Sequence, residues 1–174
     1  MNIALVGYRC SGKTSVGKII AGEIHWSFLD TDVMIEERAG CPIEEIVSKE
    51  GWEHFREMER EIIRDLSDRE NLVIATGGGV VMDEENVRNL KKNGLVVWLK
   101  AEIEVLKERM EKNHETGRKR PSLTGVNPAE EIREVLDIRD PHYRKAGDLT
   151  VDTTRRSIRE VAEMIITRAA RGRT

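Results

Sequence analysis

Residues 7 to 14 read Gly7-Tyr8-Arg9-Cys10-Ser11-Gly12-Lys13-Thr14: a glycine, four residues, then Gly-Lys-Thr. The apolar run Asn2 to Val6 leads into the segment, and Val16, Ile19 and Ile20 recur at helical spacing after it. A strand entering such a loop and a helix leaving it is the context in which glycines let the backbone curl around an anion. Successive N–H groups then face phosphate oxygens, and the positive end of the helix supports them. The backbone from Cys10 to Ser15 is the expected cradle. Lys13 is expected to bridge the terminal phosphates of a nucleotide, and Thr14 to offer its hydroxyl to a magnesium ion that keeps most of its waters.

Further short apolar runs fall at Trp26 to Leu29, Leu72 to Ala75, Leu95 to Leu99 and Leu149 to Val151, each separated by long charged stretches. Helix-spaced apolar positions occupy those stretches: Phe55, Met58, Ile62 and Leu66, then Ile158, Val161, Ala162 and Ile165. Strands that read as continuous apolar runs are buried on both faces, so the pattern predicts an α/β fold with a parallel sheet covered by helices. A chain of 174 residues suits one such core. A single domain over residues 1–174 follows.

Charged residues make up 35%, yet 29 Lys plus Arg stand against 32 Asp plus Glu. The near balance argues against a protein that coats nucleic acid. The longest apolar runs are far short of the roughly 20 residues that span a bilayer, and no leader-like segment precedes the first strand. Cys10 and Cys41 form neither a metal-like pair nor a disulfide framework. These features predict a cytoplasmic protein without membrane or nucleic-acid partners.

The phosphate loop does not say what receives the phosphate. Leu29-Asp30-Thr31-Asp32 places two carboxylates at the end of the second strand, where ligands gather at the carboxyl edge of a parallel sheet. An Asp-x-Asp there is equally a helix N-cap. Arg56 and Glu59, three residues apart, share one helical face, as a solvated pair or as a carboxylate holding a guanidinium in place. Gly77-Gly78-Gly79 directly follows a buried strand, which suits a tight turn or a close approach to the backbone. Residues 113–128 combine breakers with Arg118, Lys119 and Arg120 and read as a basic loop of functional length.

In order and spacing these elements resemble a shikimate kinase. The likeness runs through the phosphate loop, Leu29-Asp30-Thr31-Asp32, Phe55-Arg56 with Glu59, the triple glycine, Arg120-Pro121, Arg139-Asp140-Pro141-His142-Tyr143 and Val151-Asp152-Thr153. It implies a three-layer α/β/α P-loop fold of the nucleoside-monophosphate-kinase type. That fold has five parallel strands, a substrate-binding helical segment at about 32–67 and a lid at about 112–127. The activity implied is ATP-dependent phosphorylation of the 3-hydroxyl of shikimate, on the route to chorismate and aromatic amino acids, by a monomer using Mg²⁺.

Residue by residue, the resemblance makes Lys13, Asp32 and Arg120 catalytic and assigns Asp30 to the magnesium shell through water. Asp32, Arg56, Gly78, Gly79 and Arg139 would bind shikimate, with Glu59 orienting Arg56. Arg155 or Arg156, of which Arg156 is favoured, would border the adenine, with Arg109 on its other face. The chain departs from many relatives at Arg9-Cys10-Ser11, at Ser122 in the lid, and at Ser157-Ile158 after the terminal arginines. The alternatives are a related kinase for gluconate or a nucleotide, or a regulatory homologue that binds nucleotide without transfer.

Overall fold

The computed structural model describes residues 1–115 and 128–171. Five strands, β1 (Asn2–Val6), β2 (Ser27–Asp30), β3 (Leu72–Ala75), β4 (Gly94–Lys100) and β5 (Leu149–Asp152), form one sheet in the order β2-β3-β1-β4-β5. Every pairing is parallel, with Ile3 opposite Val73 on one side and Leu95 on the other. Helices α1 (Lys13–Ile24), α2 (Thr31–Ala39), α3 (Ile43–Ser67), α4 (Glu84–Lys92), α5 (Ile103–Glu115) and α6 (Pro128–Ala146) lie between the strands, and α7 (Ile158–Arg171) follows β5.

The central strands β1, β3 and most of β4 are buried on both faces, while the edge strands β2 and β5 are partly exposed, and the pleat sorts the side chains. Ile3 and Leu5 pack with Val16, Ile20, Val161 and Ile165 of α1 and α7, while Ala4 and Val6 pack with Ile63, Val96, Trp98 and Tyr143 on the opposite face. Continuous apolar runs are what two-sided burial requires. A third cluster joins Ile35 of α2 to Phe55, Ile62 and Leu66 of α3, which seats the helical segment against β3. A fourth holds α5 and α6 together under Tyr8, through Leu106, Met110, Ile132 and Val135.

Three sequence expectations shift. The second strand runs from Ser27 to Asp30 rather than from Trp26 to Leu29, because its partner β3 pairs Asp30 with Ala75 and leaves Trp26 outside the ladder. Ile158, expected in the core stripe of the last helix, stands 46% exposed on the first turn of α7. Residues 113–115, read as the start of a loop, and residue 112, read as the start of the lid, continue α5. Pro128, read as the end of that loop, opens α6, and residues 116–127, with Arg120 and Ser122, lie outside the described residues. Helix α3 is also broken once, at Gly51, whose φ of 85° and ψ of 170° are not helical. Among the described residues no helix is long and apolar enough to cross a membrane.

Candidate active site

At the carboxyl end of β1 the chain turns through Gly7 (φ 143°), Cys10 (φ 63°) and Gly12 (φ 101°) before entering α1. A side chain at Gly7 would meet the Leu99 carbonyl oxygen at 2.4 Å, so the close passage against β4 and the backbone angle both require glycine. Lys13, the first residue of α1, is buried, and its Nζ donates to the carbonyls of Gly7 and Tyr8 at 2.8 Å each. The lysine thereby fixes the curl of the loop in front of it. Thr14 donates its hydroxyl to Asp30 Oδ2 at 2.9 Å, while Asp30 Oδ1 accepts the Asp32 N–H at 3.1 Å and caps α2. Asp30 thus caps α2 with one carboxylate oxygen and holds the Thr14 hydroxyl of the phosphate loop with the other.

A cleft of about 730 Å³ runs along this loop, lined by Cys10 through Val16, Asp30, Arg109, Asn113, Thr153 and Arg156 among others. Arg109 reaches it from α5 and is held by three acceptors: Thr153 Oγ1 at 3.0 Å, the Thr153 carbonyl at 2.9 Å and the Cys10 carbonyl at 3.4 Å. Those bonds occupy the edge of the guanidinium and leave its face to a ligand. Arg156 donates to the Asp152 carbonyl at 2.6 Å and lines the cleft, whereas Arg155 does not line it.

A second, smaller cavity of about 70 Å³ adjoins the first and is walled by Asp32, Arg56, Glu59, Gly77, Gly78, Gly79 and Arg139, among others. These residues come from α2, α3, the loop after β3, and α6, so the fold assembles every acceptor-side residue of the sequence reading that it describes. The Arg56–Glu59 pair is no surface ornament: Arg56 Nη1 donates to Glu59 Oε2 at 2.8 Å, and Glu59 is fully buried. Burial pushes the Glu59 carboxyl above its ordinary value; the Asp32 charge adds to the push, and Arg56 and Arg139 oppose it. Two of the three glycines are explained by those same side chains. A methyl group at Gly79 would stand 2.3 Å from Arg56 Nη2, and one at Gly77 would stand 2.6 Å from Glu59 Oε1.

Three guanidinium groups, of Arg9, Arg56 and Arg139, face this small cavity. Arg9 is paired with buried Glu131 of α6 and Arg56 with Glu59, whereas Arg139 has no carboxylate partner among the described residues. Its charge is the one left for a carboxylate on a ligand, and the planar fork suits that group. Asp32, only 6% exposed, lines both cavities, as does Arg9. A carboxylate at the junction of a phosphate cradle and an anion-binding pocket is placed to act on a hydroxyl that faces both.

A family model described as shikimate kinase matches residues 9–170. The chain belongs to the shikimate kinase family. It is 43% identical to a shikimate kinase of Caldanaerobacter subterraneus subsp. tengcongensis over 165 residues, 95% of this chain and 94% of the relative. The structure of shikimate kinase from Acinetobacter baumannii in complex with shikimate superposes with a TM-score of 0.90 at 36% identity, covering 98% of this chain and 93% of the other. A gluconokinase from Sinorhizobium meliloti 1021 shares the fold alone, with a TM-score of 0.63 at 22% identity over 98% of this chain and 91% of its own. As a member of the shikimate kinase family the chain is a phosphotransferase that phosphorylates shikimate in aromatic biosynthesis. The gluconate, nucleotide and non-catalytic alternatives find no support.

Several residues of the site escaped sequence reasoning. Tyr8, Ile43, Trp52 and Phe55 line the small cavity, with the Arg56 guanidinium carbon 5.0 Å from the Phe55 ring centroid and 5.8 Å from that of Trp52. The one available signal was the spacing of Trp52, Phe55 and Arg56 on one helical face. Nothing in the sequence couples Arg9 to Glu131, which stand 122 positions apart.

Proposed function

We propose that the chain holds ATP on residues 10–15 with its γ-phosphoryl toward Asp32, and that Asp32 accepts the proton of the shikimate 3-hydroxyl as that oxygen attacks phosphorus. The new bond joins the shikimate oxygen to the γ-phosphorus. The bond that breaks joins it to the β–γ bridging oxygen, so ADP leaves with the negative charge. Lys13 steadies the β- and γ-oxygens during transfer, and the loop N–H groups add fixed dipoles aimed at the same charge. Arg56 and Arg139 grip the shikimate carboxylate, Gly78 and Gly79 meet its hydroxyls through their backbone, and Glu59 keeps Arg56 in place. Arg120 supplies further positive charge over the phosphates. Arg109 and Arg156 flank the adenine.

Magnesium fits the residues present. The Thr14 hydroxyl and the Asp30 carboxylate are hard oxygen donors 2.9 Å apart at the phosphate end of the cleft, which suits an ion held by phosphates and waters rather than by a protein cage. Thr14 would ligate it directly and Asp30 through water. Bound there, the ion would neutralise charge on the β- and γ-oxygens. The reading also takes the chain as a monomeric, cytoplasmic, single-domain enzyme whose partners are its two small-molecule substrates.

The observation that supports this reading most is the placement of Asp32 on the wall shared by the two cavities. Steady-state kinetics of Asp32→Asn test it. Loss of a general base predicts a kcat lower by about 10² to 10⁴ with the ATP KM nearly unchanged. Turnover at the parent rate would refute the role.

A further inference from the structure

Tyr143 stands on α6 one turn beyond Arg139, is fully buried, and stacks on Trp98 of β4 with ring centroids 5.7 Å apart and planes 19° from parallel. A phenylalanine would fill that space equally well. The hydroxyl, which is unfavourable to bury alone, has two polar neighbours: it donates to the Gly78 carbonyl, and the Arg139 guanidinium lies beside it. The polarity of the arrangement is forced, because the carbonyl can only accept the hydroxyl proton and an arginine beside it can only face its lone pairs. Burial also pushes the phenol upward, so the proton that Gly78 needs stays on the oxygen. Both partners wall the small cavity, whereas Tyr143 does not line it.

One more consequence is geometric. The Gly78 carbonyl and the Gly79 N–H belong to one planar trans peptide and point in opposite directions. Drawing the oxygen back to Tyr143 turns the Gly79 N–H the other way, and that N–H has no acceptor among the described residues. Relying on the reading that this cavity takes shikimate, we propose that Tyr143 is a positioning residue for the acceptor. Through a single hydroxyl it aims the Arg139 guanidinium at the substrate carboxylate and the Gly79 N–H at a substrate hydroxyl.

The test is the kinetics of Tyr143→Phe with each substrate varied in turn. Loss of the hydroxyl predicts a shikimate KM higher by about 10-fold, with kcat and the ATP KM changed by less than about 3-fold. On an Arg139→Lys background the same change should add less than it does alone, because both act through one contact. Installing 4-fluorophenylalanine in place of Tyr143 fills the position of the hydroxyl without donating, and it should reproduce the Phe result in a chain whose packing is kept. An unchanged shikimate KM in both variants overturns the proposal, as does a parallel loss in kcat and in both KM values. A parent enzyme that leaves shikimate unphosphorylated would instead overturn the assignment of the cavity.

Discussion

The two halves of the active site are built from different materials. On the nucleotide side the cradle is one contiguous segment, residues 7–15, and what it offers is mostly backbone and helix terminus, held in shape by glycine angles and by Lys13 bonded to its own loop. On the acceptor side the wall is made of charged side chains from α2, α3 and α6, with Arg9 of the phosphate loop, around three glycines, and among the described residues each of its guanidiniums but that of Arg139 has a carboxylate. A backbone cradle recognises phosphate, which many reactions share. On the reading proposed above, a set of guanidiniums with one charge left over takes the small anion, and specificity resides there.

Substitutions on the two sides should therefore separate in kinetics. Lys13→Met removes the buried cation that opens α1 and should lower kcat by about 10² to 10³ while shikimate binding persists; loss of shikimate binding in a titration would break the separation. Arg139→Ala should raise the shikimate KM by about 10- to 100-fold with the ATP KM unchanged, since it deletes charge-assisted bonds to one substrate only. An unchanged shikimate KM would refute the carboxylate clamp. Gly79→Ala asks for less. The φ of Gly79, −99°, suits alanine, so the cost is the displaced Arg56, and the shikimate KM should rise by about 10-fold while thermal stability stays close to that of the parent.

The smallest effect concerns pH. Because the folded Glu59 carboxyl titrates above its ordinary value, its contribution to stability is fully present at low pH and is lost as pH rises through the folded value. Melting temperatures measured from pH 5 to pH 8 should fall more steeply for the parent than for Glu59→Gln. Parallel slopes would show that the buried carboxyl does not titrate in that window.

The same contrast explains what could be read from the sequence. Strand runs and the phosphate loop were legible because local backbone demands, two-sided burial and tight curling, leave marks on neighbouring residues. Asp30, Asp32, Arg56, Glu59 and Arg139 were nameable through family order and spacing, but their energetics were not: Arg56–Glu59 reads as a surface pair until α3 is laid against the glycine loop and Glu59 loses all its solvent. The Arg9–Glu131 bond and the Tyr143 hydroxyl were invisible for a related reason. Each joins segments that meet only when α6 folds over β4, and no local pattern encodes such a meeting. Ile158 shows the converse, since helical spacing placed it in a core stripe although the first turn of α7 extends past the sheet edge into the nucleotide cleft.

The central claim is that the backbone cradle spends its phosphoryl group on the acceptor held by the guanidinium wall and not on water. It is tested most directly by following ADP release from ATP and Mg²⁺ with and without shikimate. The account predicts that ADP appears rapidly only when shikimate is present, in step with shikimate 3-phosphate. Equal rates of ADP release with and without shikimate would contradict it.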